Sequence, residues 1–157
     1  MLTTFAEKLK AQLNNPLPGK EAHKKMSPHR RFPYQKSPNI LHCKLSAVMI
    51  LLYEKDDAIY LPIIVRPTYD GVHSGQLSFP GGKRENQDID NLATALRETE
   101  EEIGIRANDI TIIGELTSLY IPKSNFMVYP FVGYIKGTPL FNIETNEVDS
   151  LVHLSLS

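Results

Sequence analysis

The chain of 157 residues has a single cysteine, Cys43, so it cannot close an internal disulfide; this fits a reducing compartment and a cytoplasmic location. Cys43 reads as a small apolar filler beside the first strand rather than as a nucleophile. Long apolar runs are also missing. The longest, near residues 47–52, is far too short to span a bilayer. Residues 1–10 carry Glu7, Lys8 and Lys10 and lack the apolar core of a signal peptide. There is no charge imbalance: 17 basic against 18 acidic residues leave a net charge of −1, which excludes a global pull toward nucleic acid or an anionic membrane. Internal repeats and low-complexity tracts are absent too. What remains, 41% apolar and 22% charged, is the composition of a soluble globular protein with the size of one domain.

Thr4-Phe5-Ala6-Glu7 has the pattern of a capping box, and Phe5, Leu9 and Leu13 repeat at four-residue spacing. They predict a short amphipathic helix that ends before Pro16 and docks on the domain or on a partner chain, which leaves a homodimer open. Residues 20–36 carry Lys20, Lys24, Lys25, Arg30, Arg31 and Lys36 and read as a solvated basic linker. Contact of this segment with substrate phosphates, or of Phe32 and Tyr34 with an adenine ring, is the functional alternative. A nucleic-acid role is the weaker reading, because no matching fold signature accompanies the charge, and no nucleic-acid partner is expected. Residues 1–40 thus form an N-terminal helix and linker, and 41–157 the main domain.

Within that domain, 45–53 and 59–65 read as strands joined by a turn at Asp56-Asp57. Residues 77–79 form a short strand leading into a Pro80-Gly81-Gly82 turn, where glycines let backbone approach a phosphate. One helix ends at Gly104. Strands follow at 110–116 and 151–156; 117–125 reads as a loop, and 126–135, broken by Pro130, as two pieces or one edge strand. The pattern is α/β or α+β, a mixed sheet with one central helix.

The last turn of that helix holds Glu98, Glu100, Glu101 and Glu102. Carboxylates are unfavourable at the negative end of a helix, and like charges at i,i+3 and i,i+4 repel. Glu98, Glu101 and Glu102 have that spacing and project from one side, as a hard divalent cation requires. The plain alternative is a solvated face opposite a core stripe of Leu92, Leu96, Thr99 and Ile103.

The string Arg97-Glu98-Thr99-Glu100-Glu101-Glu102-Ile103-Gly104-Ile105 resembles the core of the Nudix box, with Thr99 in an aliphatic position. Gly82 and Asp88 stand where the box opens with a glycine and an acid. Asp88 replaces the usual glutamate, and eight residues rather than seven separate it from Arg97. Upstream, Arg66, His73, Gly75, Gln76, Phe79, Pro80, Gly81 and Gly82 resemble the extra signature of the coenzyme A pyrophosphatase branch. Gly71 and Ile64 depart from it. Ser124-Asn125-Phe126 with Pro130, and Asn146-Glu147-Val148, also look like this branch, so the resemblance covers residues 46–155.

The resemblance implies a Nudix α/β/α sandwich and metal-dependent hydrolysis of a nucleoside diphosphate linked to another group. Its specific expectation is coenzyme A, or a derivative, split to 3′,5′-ADP and 4′-phosphopantetheine. ADP-ribose is the enzymatic alternative. A module that senses a nucleotide without cleaving it is the alternative of another class, opposed by intact Glu98, Glu101 and Glu102. Glu98 and Glu102 are expected to hold Mg²⁺ or Mn²⁺, with Glu101 sharing an ion or a water. Arg97 is expected to orient a carboxylate, and Glu147 or Glu101 to act as general base. Arg66, His73, Gly81 and Gly82 are expected substrate contacts. Relatives in this branch run on into a further loop and helix, so the domain is expected to be curtailed after Leu156.

Overall fold

The strand Lys44–Lys55 (β1) is the axis of the sheet, because its alternate residues feed two separate cores. Ala47, Met49 and Leu51 face one side, with Ala95 and Ile103 of the helix Asn91–Ile103 (α3). Ile50 and Leu52 face the other, with Leu2 and Ala6 of the helix Leu2–Leu13 (α1). A period of two on a strand buried on both faces produces this division. The computed structural model describes residues 1–26, 42–68 and 75–156. The expected α/β/α sandwich is the fold observed, with α1 and α3 on opposite faces of a mixed eight-stranded sheet. Among the described residues, no helix is long and apolar enough to cross a membrane.

Strand Phe126–Tyr134 (β7) runs parallel to β1, from Lys44 opposite Phe126 to Leu52 opposite Tyr134. The other side of β7 takes Thr111–Glu115 (β5) and Leu119–Ile121 (β6), both antiparallel. Strand Ala58–Val65 (β2) pairs with the far end of β1 and then turns to Leu77–Ser78 (β3). The near end of β1 pairs instead with Gly81–Lys83 (β4). Strand Ser150–Ser155 (β8) lies antiparallel along β2.

Several local expectations give way to tertiary structure. Helix α1 starts two residues before Thr4 and has no side-chain cap of its own. Its first turn is capped from outside by Glu54 of β1, whose Oε2 accepts from the Leu2 N–H at 2.9 Å and lies 3.5 Å from the terminal ammonium. The Leu2 N–H is the main cause holding the Glu54 carboxyl below its ordinary value. The docking stripe is Leu2, Ala6, Leu9 and Leu13, whereas Phe5 is exposed. Part of the expected linker is a short exposed helix, Gly19–Met26 (α2), with Lys24 on Glu21 at 2.6 Å. The expected loop at 117–125 contains β6. Strand β7 is unbroken and interior, with neighbours on both sides. Pro130 falls at the gap between β5 and β6, so its missing N–H interrupts neither ladder, and its carbonyl accepts from Leu116 at 2.9 Å.

The β1–β2 turn is the two-residue loop that the sequence predicts, with both Asp56 (φ 49°) and Asp57 (φ 56°) in the left-handed region. Glycine adopts that conformation at the second position without a Cβ penalty. Asp57→Gly is therefore expected to stabilise the fold by about 0.5–1 kcal/mol, after the greater unfolded-state freedom of glycine is subtracted. A thermal melt should show a rise of about 2 °C. A fall would mean that the Asp57 side chain supports the turn.

Candidate active site

Helix α3 is delimited at both ends by residues its sequence supplies. Asp90 caps the start, accepting from the Ala93 N–H at 2.7 Å. Gly104 closes the end at φ 72°, its N–H donating to the Glu100 carbonyl at 3.0 Å. The loop after β7 then covers the last turn: Asn142 N–H donates to Ile103 O at 3.0 Å and Glu144 N–H to Glu102 O at 3.1 Å. These bonds satisfy carbonyls that a helix end leaves open. They also fix the start of a turn, in which the N–H groups of Glu147 and Val148 donate to Glu144 O at 3.0 and 2.9 Å. Val148 is fully buried, and Asp149 N–H reaches Val65 O at 2.8 Å, so the turn is anchored at both ends.

This anchoring brings Glu147 to Glu98 and Glu102. One carboxylate oxygen from each of the three lies within 4.8 Å of the others. Glu102 is 1% exposed, Glu98 is partly buried and Glu147 is exposed. The Glu102 carboxylate accepts from the Gly81 N–H at 2.8 Å and lies 3.7 Å from the Arg66 guanidinium. Burial pushes its pKa up to about 7 against the opposing pull of these two donors, and Glu98 and Glu147 add to the rise. Glu98 is raised as well, chiefly by burial, with Arg97 opposing. Three convergent carboxylates, one of them almost completely desolvated, form a site whose negative charge the nearby cations offset only in part. The donor set fits a hard divalent cation with oxygen ligands.

The plain expectation of a solvated acidic face therefore fails for Glu102. Thr94, Ala95, Thr99, Glu102 and Ile103 are all buried, so this acid lies on the helix face turned to the sheet. Thr99, in the position where the box has an aliphatic residue, is satisfied locally: its Oγ1 donates to the Ala95 carbonyl at 2.6 Å.

Arg97 organises the flank of the cluster. Its Nε and Nη2 donate to the two Asp88 oxygens at 3.0 and 3.1 Å, and Nη2 also reaches Lys83 O at 3.2 Å. Nη1 lies 2.9 Å from Glu98 and 2.7 Å from Glu101. Asp88 is buried and also accepts from the Glu85 N–H at 2.8 Å and the Thr94 hydroxyl at 3.0 Å. The Arg97 hydrogen bonds are the main cause holding the Asp88 carboxyl well below the usual range, and Asp88 in turn raises Arg97. Glu101 is thus turned onto Arg97, away from the cluster in which the sequence expectation put it, and the third carboxylate is that of Glu147.

The glycines act differently from a phosphate-facing turn. Gly81 and Gly82 are in strand β4, against Val48 and Ala47. Gly81 has φ 153°, and a Cβ there would run into the Ala47 carbonyl. At Gly82 a Cβ would lie 2.5 Å from the Glu98 carboxylate carbon. Gly82 thus makes room for Glu98, and Gly81 holds Glu102. Gly82→Ala is expected to fold normally, since only the end of a flexible side chain must move, and to lower the catalytic rate roughly tenfold to a hundredfold. Parallel melts and initial rates check this; full activity would show that Glu98 can shift without consequence. Arg66, at the end of β2, donates to Gly81 O at 3.3 Å, so it lies at the cluster's edge. His73 lies outside the described residues.

Comparison with known proteins gives a consistent result. Residues 44–156 match the family model described as the NUDIX domain. The protein named "Nudix hydrolase 15, mitochondrial" of Arabidopsis thaliana is 38% identical over 113 residues, covering 70% of this chain and 39% of that protein. An "Uncharacterized Nudix hydrolase NudL" of Yersinia enterocolitica is 36% identical over 109 residues, covering 63% of this chain and 55% of that protein. The chain thus spans about half or less of the length of these relatives. Among solved structures, a C. elegans Ap4A hydrolase binary complex matches with a TM-score of 0.60 at 16% identity, over 72% of this chain and 80% of that one. The NUDIX domain of Shewanella oneidensis NrtR complexed with ADP ribose matches with a TM-score of 0.58 at 14% identity, over 87% and 83%. At these identities the two structures speak for the fold alone.

Proposed function

This chain belongs to the Nudix family, and from that premise we propose that it hydrolyses the diphosphate linkage of a nucleotide substrate with a divalent cation in the acidic cluster. The observation that carries this reading is the convergence of Glu98, Glu102 and Glu147 within 4.8 Å. Glu98 and Glu102 would hold Mg²⁺ or Mn²⁺, with Glu147 beside them. When bound, such a cation supplies Lewis acidity: it offsets the charge of the diphosphate oxygens and acidifies water. The protein's own part is positional. Gly81 and Arg66 hold Glu102, Gly82 leaves space for Glu98, and Arg97 fixes Glu98 from the side.

Glu147 stands on a turn outside the helix and is exposed, which suits a base that takes a proton from the attacking water. Glu101, held by Arg97, is the alternative base. Arg66 is a cation at the cluster's edge and would bind a substrate phosphate; His73 is proposed as a further contact on the signature residues around it.

For the substrate, the reading is coenzyme A or a derivative, cleaved to 3′,5′-ADP and 4′-phosphopantetheine. It is supported by Arg66, Gly75, Gln76, Phe79, Pro80, Gly81 and Gly82, the signature residues within the described chain. ADP-ribose is the second reading, a diphosphate-linked nucleotide that the same acidic cluster would serve equally. Incubation with coenzyme A, ADP-ribose and a dinucleoside polyphosphate, each with Mg²⁺ or Mn²⁺, separates the two by product analysis. The expected result is metal-dependent release of 3′,5′-ADP from coenzyme A. Cleavage of ADP-ribose alone would keep the reaction and replace the substrate; cleavage of none would count against the hydrolase reading and turn it toward a module that binds a nucleotide without cleaving it.

A further inference from the structure

We propose that Tyr53 is a positioning residue for Glu147, a buried clasp that gathers both flanks of the segment on which Glu147 stands. This rests on the reading of Glu147 as the base. Phe141 lies six residues before Glu147 and His153 six residues after it. Both touch Tyr53 of β1. The Phe141 ring meets the Tyr53 ring edge-on, with centroids 5.4 Å apart. The Tyr53 hydroxyl lies 2.6 Å from His153 Nδ1, and these two rings also meet edge-on, at 5.9 Å. Phe141 and His153 close the triangle at 5.4 Å, and Tyr60 of β2 stacks on Tyr53 at 5.7 Å. Tyr53 is 1% exposed, and a phenol so deeply buried needs a partner for its O–H. Burial raises the Tyr53 hydroxyl, with Tyr60 adding to the rise, while partial burial and then Lys55 lower His153. The tyrosine therefore donates and a neutral imidazole accepts.

What hangs on this clasp is the path of the chain past the acidic cluster. Directly after Phe141, the Asn142 N–H donates to Ile103 O, and a Cβ on Gly104 would lie 2.7 Å from the Asn142 Cβ. The segment thus presses on the end of α3, and Glu144 then starts the turn that carries Glu147. Among the described residues no hydrogen bond reaches the exposed Glu147 carboxylate, so its place within 4.8 Å of Glu98 and Glu102 is set by the backbone. Strand β1 is the common reference. Helix α3 is seated on it through Ala95 and Ile103, and the Glu147 segment through Tyr53. Tyr53 pairs with β2 at the end of β1 remote from Gly81 and Gly82, so it has no direct route to the cluster. A catalytic group displaced by about 1 Å loses up to roughly a hundredfold in rate.

One arm of the test needs no substrate. Backbone hydrogen exchange is followed in the metal-free protein for the wild type, Tyr53→Phe, His153→Ala and His153→Asn, each well below its melting temperature. Loss of the clasp should speed exchange of the Glu147 and Val148 N–H groups about fivefold, while the Gly104 N–H at the end of α3 keeps its rate. Asparagine puts an acceptor close to the place of Nδ1, so His153→Asn should exchange like the wild type. Unchanged exchange at Glu147 and Val148 in Tyr53→Phe would overturn the proposal. So would an equal rise at Gly104, the sign of general destabilisation, or a His153→Asn as fast as His153→Ala. The second arm is kinetic, with Mn²⁺ and whichever of coenzyme A and ADP-ribose the wild type cleaves. In Tyr53→Phe, kcat should fall about tenfold, with KM and Mn²⁺ affinity near their wild-type values. In a Glu147→Gln background the same change should cost nothing further, because Tyr53 acts only through Glu147. Losses that multiply would overturn the proposal. Wild-type turnover in Glu147→Gln itself would remove the reading of Glu147 as the base, and the hold of Tyr53 on the turn would stand or fall by the exchange rates.

Discussion

Replacing Glu102 with Gln is expected to abolish metal-dependent turnover, by about a thousandfold or more, while leaving the fold at least as stable as before. The two halves of this prediction have one cause. Glu102 is almost completely buried, its carboxyl is raised to about 7, and burial is the main reason. Glutamine keeps the shape and the oxygen that accepts from Gly81, but it carries no charge for a cation and none to desolvate. The sign follows from linkage. Between the ordinary glutamate value near 4.5 and about 7, the folded protein holds a proton that the unfolded chain has lost. Stability from this group is therefore fully present below about pH 4.5 and is lost as the pH rises through about 7. The full difference is on the order of 3 kcal/mol. Melts in a chelator should show the wild type losing stability relative to Glu102→Gln from pH 5 to pH 8, by several degrees in Tm. Saturating Mg²⁺ should restore the wild type and do little for the variant. A variant that melts lower at every pH would mean that the carboxylate holds the fold together, and near-normal turnover would remove Glu102 from the ligand set.

Much of this site is written in local sequence, but its decisive features are not. Strands β1, β2, β5 and β8 stand out as apolar or alternating runs, and Gly104 marks the end of α3, because burial and helix capping act through near neighbours. Pro130 misleads because its cost depends on whether a partner needs its N–H, which only the gap between β5 and β6 decides. For Glu102 it is the plain alternative, a solvated face, that misleads. An acid on a helix is read as solvated by default, yet Ala95, Thr99 and Ile103 already give the buried face to which it belongs. The Arg97 string carries the box, and with it the expectation that Glu98 and Glu102 work together. That Asp88 occupies Arg97 depends on the path of residues 83–90, which no periodicity encodes. The glycine pair was legible as a place of close approach; that the approaching groups are the Glu98 and Glu102 carboxylates is a tertiary fact.

The exchange between Glu101 and Glu147 yields the second large effect. Glu147→Gln is expected to lower kcat by about a hundredfold to a thousandfold, with metal affinity reduced by less than about tenfold. The asymmetry follows from position. Glu98 and Glu102 come from one rigid helix and are partly or wholly buried, so they retain a cation without help from the turn. Glu147 is exposed, on a turn held by Val148 and Asp149, and reaches the same space from outside the helix. Glutamine there preserves size but cannot accept a proton. Glu101→Gln should lower kcat less than tenfold by the same reasoning, because its carboxylate lies on Arg97 at 2.7 Å and outside the cluster. Single-turnover rates with Mn²⁺ titrations on both variants decide the matter. If Glu101→Gln shows the large kinetic loss and Glu147→Gln the small one, the base is on the helix, and Arg97 must release Glu101 in the working complex. If Glu147→Gln loses affinity and rate together by similar factors, its carboxylate is a third ligand and the proton goes elsewhere.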